Sequence, residues 1–104
     1  MVALRNIAVP TERLADHCRK WRVRELAVFG SVLRDDFNAE SDIDLLVTFE
    51  ADAPWSLWEL VDMQDEFAAL LGRRIDLVEP EALTNPYRRQ EILSTSRVIY
   101  ASEE

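Results

Sequence analysis

Cysteine, histidine and glycine are scarce in this chain of 104 residues, which has one cysteine, one histidine and two glycines. The single cysteine, Cys18, cannot form an internal disulfide, which fits a reducing compartment, and no cluster of cysteine and histidine ligands is available for zinc. The chain also lacks both the Gly-x-Gly-x-x-Gly dinucleotide loop and the P-loop segment that ends in Gly-Lys-Ser/Thr. The sequence therefore gives no support to a disulfide scaffold, a zinc site, a Rossmann fold or a P-loop enzyme.

Long apolar runs are absent as well. No stretch approaches the eighteen or more apolar residues of a membrane helix, and the N-terminus lacks the basic and apolar regions of a signal peptide. The length is close to that of one ordinary domain, and 48% hydrophobic residues can fill one core. We therefore expect residues 1–104 to form one domain that is soluble, cytoplasmic and free of membrane contact.

Basic residues are outnumbered, with 12 lysines and arginines against 20 acids and a net charge of −8. Strong binding to a phosphate backbone requires a basic surface, which this composition does not supply. We therefore expect no direct contact with nucleic acid, and a template-dependent polymerase is not predicted.

Hydrophobic periodicity and turn residues predict an α/β domain. The predicted helices begin after Thr11 as N-cap, at Pro54 and at Pro86, and the second ends at a Gly72 C-cap. In chain order the predicted elements are helix 12–21, strand 23–29, polar loop 35–40, strand 42–49, helix 54–71, strand 74–78, helix 86–94 and a short edge strand 98–101. This order predicts a mixed sheet with helices packed chiefly on one face and with the other face open to ligand.

Three aspartates are predicted to project from that open face. Side chains alternate along a strand, so Asp42 and Asp44 share one side, and Asp76 lies opposite the apolar residues of its own strand. Neighbouring strands are about 4.8 Å apart, which lets their side chains share a cation. Carboxylate oxygens suit Mg²⁺ or Mn²⁺. Considered singly, each acid also has a structural interpretation without a metal. Asp42 would then be a turn or strand-start residue, and Asp44 a solubilising residue at the edge of the sheet.

A glycine and a serine directly follow the first predicted strand. Gly30 permits a close approach of the backbone and an unusual dihedral angle, and Ser31 begins a short helical turn whose free amides can bind an anion. Arg34 is one helical turn further on and can add a charge-assisted phosphate contact, although a solvated loop arginine is the alternative. The segment predicts a grip on the β and γ phosphates of a nucleotide.

Taken together, Gly30-Ser31, the Asp42-Ile43-Asp44 segment and Asp76 resemble the minimal nucleotidyltransferases of the DNA polymerase beta-like superfamily. The resemblance is closest to the small MNT proteins that pair with HEPN-domain toxins, and it covers residues 26–78. Many members have Ala-Arg-Gly where this chain has residues 33–35, Leu-Arg-Asp. Aspartate tolerates a left-handed backbone better than most residues, so the turn can be kept.

The resemblance implies an antitoxin enzyme that uses ATP and two Mg²⁺ ions. AMP would pass to a tyrosine of a cognate HEPN ribonuclease toxin, in a hetero-oligomer with that toxin. Asp42 and Asp44 would bind both ions, and Asp76 would complete the ion on the nucleophile side or take the acceptor's proton. Two alternatives stay open: a steric antitoxin without catalysis, and a small-molecule transferase of the aminoglycoside-modifying type. The segment 85–104 is a candidate docking element.

Overall fold

Three helices and six strands make up the part of the chain that a computed structural model describes, residues 2–3, 8–33 and 41–102. The elements are β1 (Val2–Ala3), β2 (Ala8–Val9), α1 (Thr11–Lys20), β3 (Val23–Phe29), β4 (Ile43–Phe49), α2 (Leu57–Leu71), β5 (Ile75–Val78), α3 (Pro86–Thr95) and β6 (Arg97–Ala101), with short 3-10 turns at Gly30–Leu33 and Pro80–Ala82. The predicted loop 35–40 lies outside the described residues. None of the described helices has the length and apolar character needed to cross a bilayer.

The main sheet has four strands in the order β5-β4-β3-β6. Strand β3 pairs antiparallel with both β4 and β6, whereas β4 and β5 are parallel. Parallel neighbours need a crossover connection, and α2 supplies it. Strands β1 and β2 form a separate two-stranded antiparallel sheet that the sequence did not predict. The predicted mixed sheet and the predicted edge position of β6 are confirmed.

The larger part of the core lies between one face of this sheet and the helices α1 and α2. Alternate residues of β3 and β4 project into it, as the period of a strand requires. The buried members from the sheet and the two helices are Leu14, Cys18, Val23, Leu26, Val28, Ile43, Leu45, Val47, Met63, Phe67, Leu70, Ile75 and Ile99. Helices α1 and α2 therefore cover one face, as predicted.

The opposite face, which carries the acids, is less open than the sequence suggested. Ala27, Phe29 and Leu46 form a second, smaller apolar cluster there, and Leu83 and Ile92 cover it from the turn before α3 and from α3 itself. The sequence predicted a face open to ligand, and the structure covers part of it, because helical periodicity gave no sign that a single apolar residue of α3 would pack on the sheet.

The ends of the helices also differ in part from the prediction. Pro10 occupies the N-cap of α1, and Thr11 is the first helical residue, without a capping hydrogen bond from its side chain. Helix α2 begins after Ser56, which forms a capping box with Glu59, rather than at Pro54. Ser-x-x-Glu satisfies two free amides at once, so it fixes the start of the helix more firmly than an upstream proline. The predicted Gly72 C-cap is confirmed, with φ +70°.

Candidate active site

Gly30 stands where β3 ends and the 3-10 turn begins, and the carboxylate of Asp44 lies against its backbone. Gly30 has φ +75°, a left-handed conformation that side chains disfavour. A Cβ atom added to Gly30 would lie 2.3 Å from Oδ2 of Asp44, far inside van der Waals contact. Glycine at this position therefore permits the left-handed turn and leaves room for the Asp44 carboxylate.

The two remaining residues of the predicted phosphate grip can be placed only in part. The backbone of Ser31 belongs to the 3-10 turn Gly30–Leu33 that follows β3 directly. That backbone position is the one the sequence predicted for an anion-binding turn. Arg34 lies outside the described residues, so its phosphate contact stays a prediction.

Asp44 and Asp76 are partners in the register of the parallel strands β4 and β5. Asp44 is also paired across the sheet with Phe29, so it shares the face of the smaller apolar cluster. Asp76 is exposed, and Asp44 is half-buried. Partners in register project to the same side of the sheet, which brings these two carboxylates to one place although 31 residues separate them in the sequence.

Asp42 lies immediately before β4, and its carboxylate is paired with an arginine. Nε of Arg74 is 3.0 Å from Oδ1 of Asp42, and about half of the Asp42 side chain is exposed. Among the residues that the structure describes, no three acidic, histidine or cysteine side chains lie together as a ready metal-binding group. The oxygen donors of the three aspartates have the chemistry that suits a hard cation, and Oδ1 of Asp42 contacts Arg74.

The two arginines before β5 were given no role by the sequence, although they support this arrangement. The guanidinium of Arg73 donates from Nη2 to the carbonyl oxygen of Ser41 at 2.5 Å. The amide of Ile43 donates to the carbonyl oxygen of Arg74 at 2.9 Å. These contacts join the start of β4 to the start of β5, where the acids are. In the sequence, the pair of arginines directly before an acid-bearing strand was the feature that could have indicated these contacts.

Comparison with known proteins agrees with this geometry. The nucleotidyltransferase domain family matches residues 12–99. The chain is 34% identical to the candidate protein adenylyltransferase MJ1217 of Methanocaldococcus jannaschii over 73 residues, which are 70% of this chain and 72% of that protein. It is 42% identical to the protein adenylyltransferase MntA of Thermococcus cleftensis over 64 residues, 62% of this chain and 63% of the relative.

Solved structures show the same fold. A candidate minimal nucleotidyltransferase superposes with a TM-score of 0.68 at 31% identity, covering 84% of this chain and 86% of that one. A toxin-antitoxin structure with AMP-PNP reaches a TM-score of 0.70 at 18% identity, covering 91% of this chain and 76% of that one. On the family match, the sequence identity and the shared fold, the chain belongs to the nucleotidyltransferase family, in which it is homologous to MntA and to minimal nucleotidyltransferases.

Proposed function

We propose that this protein transfers AMP from ATP to a tyrosine hydroxyl of a cognate HEPN ribonuclease toxin and thereby neutralises the toxin. The observation that carries the proposal is the pairing of Asp44 with Asp76 across β4 and β5, with the Asp44 carboxylate seated against Gly30 at the start of a turn. The relatives named protein adenylyltransferases and the toxin-antitoxin fold neighbour with AMP-PNP support transfer from an adenine nucleotide to a protein.

The charge of the site explains why a divalent cation belongs to this reaction. A triphosphate brought to a face with three aspartates meets strong like-charge repulsion, in a chain whose net charge is already −8. Asp42, Asp44 and Asp76 would hold the cations that remove this repulsion. Two Mg²⁺ ions, when bound, would stabilise the leaving pyrophosphate and lower the pKa of the acceptor hydroxyl.

The residues of the chain would orient the phosphates and accept the proton of the acceptor. The amides of the turn that begins at Gly30 would orient the β and γ phosphates, so that the α-phosphate faces the acceptor. The acceptor oxygen attacks the α-phosphorus, its O–P bond forms, and the bond from that phosphorus to the bridging oxygen breaks to release pyrophosphate. Asp76 is exposed, so it can accept the hydroxyl proton and pass it to water.

The test uses the purified protein, Mg²⁺ and ATP labelled on the α-phosphate, incubated with lysate of the native host. An Asp42→Ala/Asp44→Ala variant should lose the labelled protein band. The matched control is Asp62→Ala/Asp65→Ala, which removes two exposed acids from α2 and should label as well as the wild type. Mass spectrometry of the band then identifies the acceptor and the modified residue.

Three outcomes would contradict the proposal. A label that survives in the Asp42/Asp44 variant would remove the carboxylates from the mechanism. A label on a small molecule such as an aminoglycoside, with none on protein, would favour the small-molecule transferase. Inhibition of a bound toxin without any labelling would favour the steric antitoxin.

A further inference from the structure

Helix α3 packs very little of its surface against the rest of the protein. Within α3, all of which the structure describes, Ile92 is the one buried residue of ten. Two large side chains of the helix are exposed, Tyr87 to 85% and Leu93 to 45%. A helix of this length gains most of its stability from an apolar face that packs on something. Helix α3 therefore packs on the described part of the chain through Ile92 and leaves the rest of its surface exposed.

An exposed residue of β6 extends this surface. Val98 is 52% exposed and is the register partner of Ala27, so it projects from the same sheet face that Ile92 covers. We call Tyr87, Leu93 and Val98 the α3 patch. Isolated exposed apolar residues are ordinary, but three on a sparsely packed helix and the strand that follows it are typical of a contact surface.

The charge around the α3 patch is opposite to that of the whole protein. In the sequence, Arg88 and Arg89 follow Tyr87 and Arg97 precedes Val98, whereas Glu91 is the acid of the same helix. The chain as a whole has a net charge of −8. Apolar residues rimmed by arginine form the usual anatomy of a protein-protein interface, and the arginines require acidic residues on the partner.

The position of the patch indicates which partner it serves. Ile92 of α3 clusters with Leu46, and Leu46 is the next residue after Asp44 on the same face of β4. A protein seated on α3 therefore lies on the acid-bearing side of the sheet. A symmetric contact between two copies of this chain would instead place arginine against arginine, which disfavours a homodimer through this surface.

We propose that the α3 patch is the docking surface for the acceptor protein, which contacts Tyr87, Leu93 and Val98 with apolar side chains and faces the flanking arginines with acidic ones. The inference rests on the proposed transfer to a protein. Docking at this place would bring the acceptor hydroxyl to the face of Asp44 and Asp76.

The first test measures transfer kinetics with the acceptor that the labelling experiment identifies. Tyr87→Ala/Leu93→Ser should raise the KM for the acceptor at least tenfold and leave the affinity for ATP unchanged. The control, Leu57→Ser/Trp58→Ala, removes two exposed apolar residues from α2, on the other side of the sheet, and should behave as the wild type. Unchanged transfer in the α3 variant, with its circular dichroism intact, would overturn the proposal.

The second test separates failure of docking from failure of the proposed chemistry. A photo-crosslinking residue is placed at position 87 or, as control, at position 58, and the crosslinked peptides are sequenced. Docking is supported when position 87 captures an acid-flanked apolar segment of one partner protein and Arg88→Glu/Arg89→Glu abolishes the capture, even if no AMP is transferred. Capture at position 58 alone, or of a second copy of this chain at position 87, overturns it.

Discussion

The contact between Gly30 and Asp44 gives the sharpest prediction. In Gly30→Ala, the new Cβ would lie 2.3 Å from Oδ2 of Asp44, whereas an ordinary contact begins at 3.4 Å, so the carboxylate must move by about 1 Å. The left-handed backbone adds a cost of about 1–2 kcal/mol to the free energy of folding. A misplacement of about 1 Å at a reacting centre is enough to lower the transfer rate about 100-fold.

The chain supplies a matched control for the backbone cost. Gly72 has φ +70°, close to the +75° of Gly30, and an added Cβ there meets nothing within 4 Å. Gly72→Ala should therefore lose about 1–2 kcal/mol of stability in urea unfolding and keep full transfer activity. Gly30→Ala should lose more stability than Gly72→Ala, together with the activity.

A double-mutant cycle isolates the clash itself. Asp44→Ala removes the carboxylate, and the Asp44 Cβ is 3.7 Å from the new atom, an ordinary contact. In the Asp44→Ala background, Gly30→Ala should therefore lower the free energy of unfolding only by the cost of the left-handed backbone. An equal loss of stability in both backgrounds, measured by urea unfolding, would refute a direct contact between the carboxylate and Gly30.

Three further predictions concern the rest of the fold. Burial raises the pKa of the Cys18 thiol to about 12, so iodoacetamide at pH 8 should modify it only after unfolding, which mass spectrometry can follow. Burial would raise the pKa of Glu66, but hydrogen bonds from Lys20 and Trp21 outweigh it and lower that pKa below 4.5. The stabilisation that these hydrogen bonds to ionised Glu66 give to the fold is thus complete above pH 4.5 and lost on acidification. Glu66→Gln should therefore flatten the dependence of stability in urea on pH in that range. Asn85 accepts from two amides at the start of α3, so Asn85→Ala should weaken the helix by about 1 kcal/mol and speed its amide hydrogen exchange.

Local patterns were enough to predict most of the framework. Strand β3 was predicted at its observed bounds, because a short run rich in apolar residues lies between the end of α1 and Gly30. Pro86 and Gly72 likewise placed a helix start and a helix end through their backbone preferences. The start of α2 was missed because the capping box at Ser56 competes with the proline signal at Pro54.

The candidate site could be predicted only where strand geometry determines it. The period of a strand places Asp44 on one face, and the parallel neighbour brings Asp76 beside it. The contact between Asp42 and Arg74 depends on rotamers and on the packing of two strand ends, which no spacing rule contains. Helix α3 covers the acid-bearing face through Ile92 alone. One buried apolar residue is too few to produce a helical periodicity in the sequence.

The crossover through α2 has a consequence for how the protein acquires its activity during synthesis. Asp44 and Asp76 meet only when β5 pairs with β4, and the whole of α2 lies between these strands in the sequence. Contacts so distant along the chain form slowly, because the intervening segment must be ordered first. A nascent chain that ends before Ile75 contains β3 and β4 but no strand that brings Asp76 beside Asp44. The proposed carboxylate pair thus arises late in synthesis, once β5 has been made.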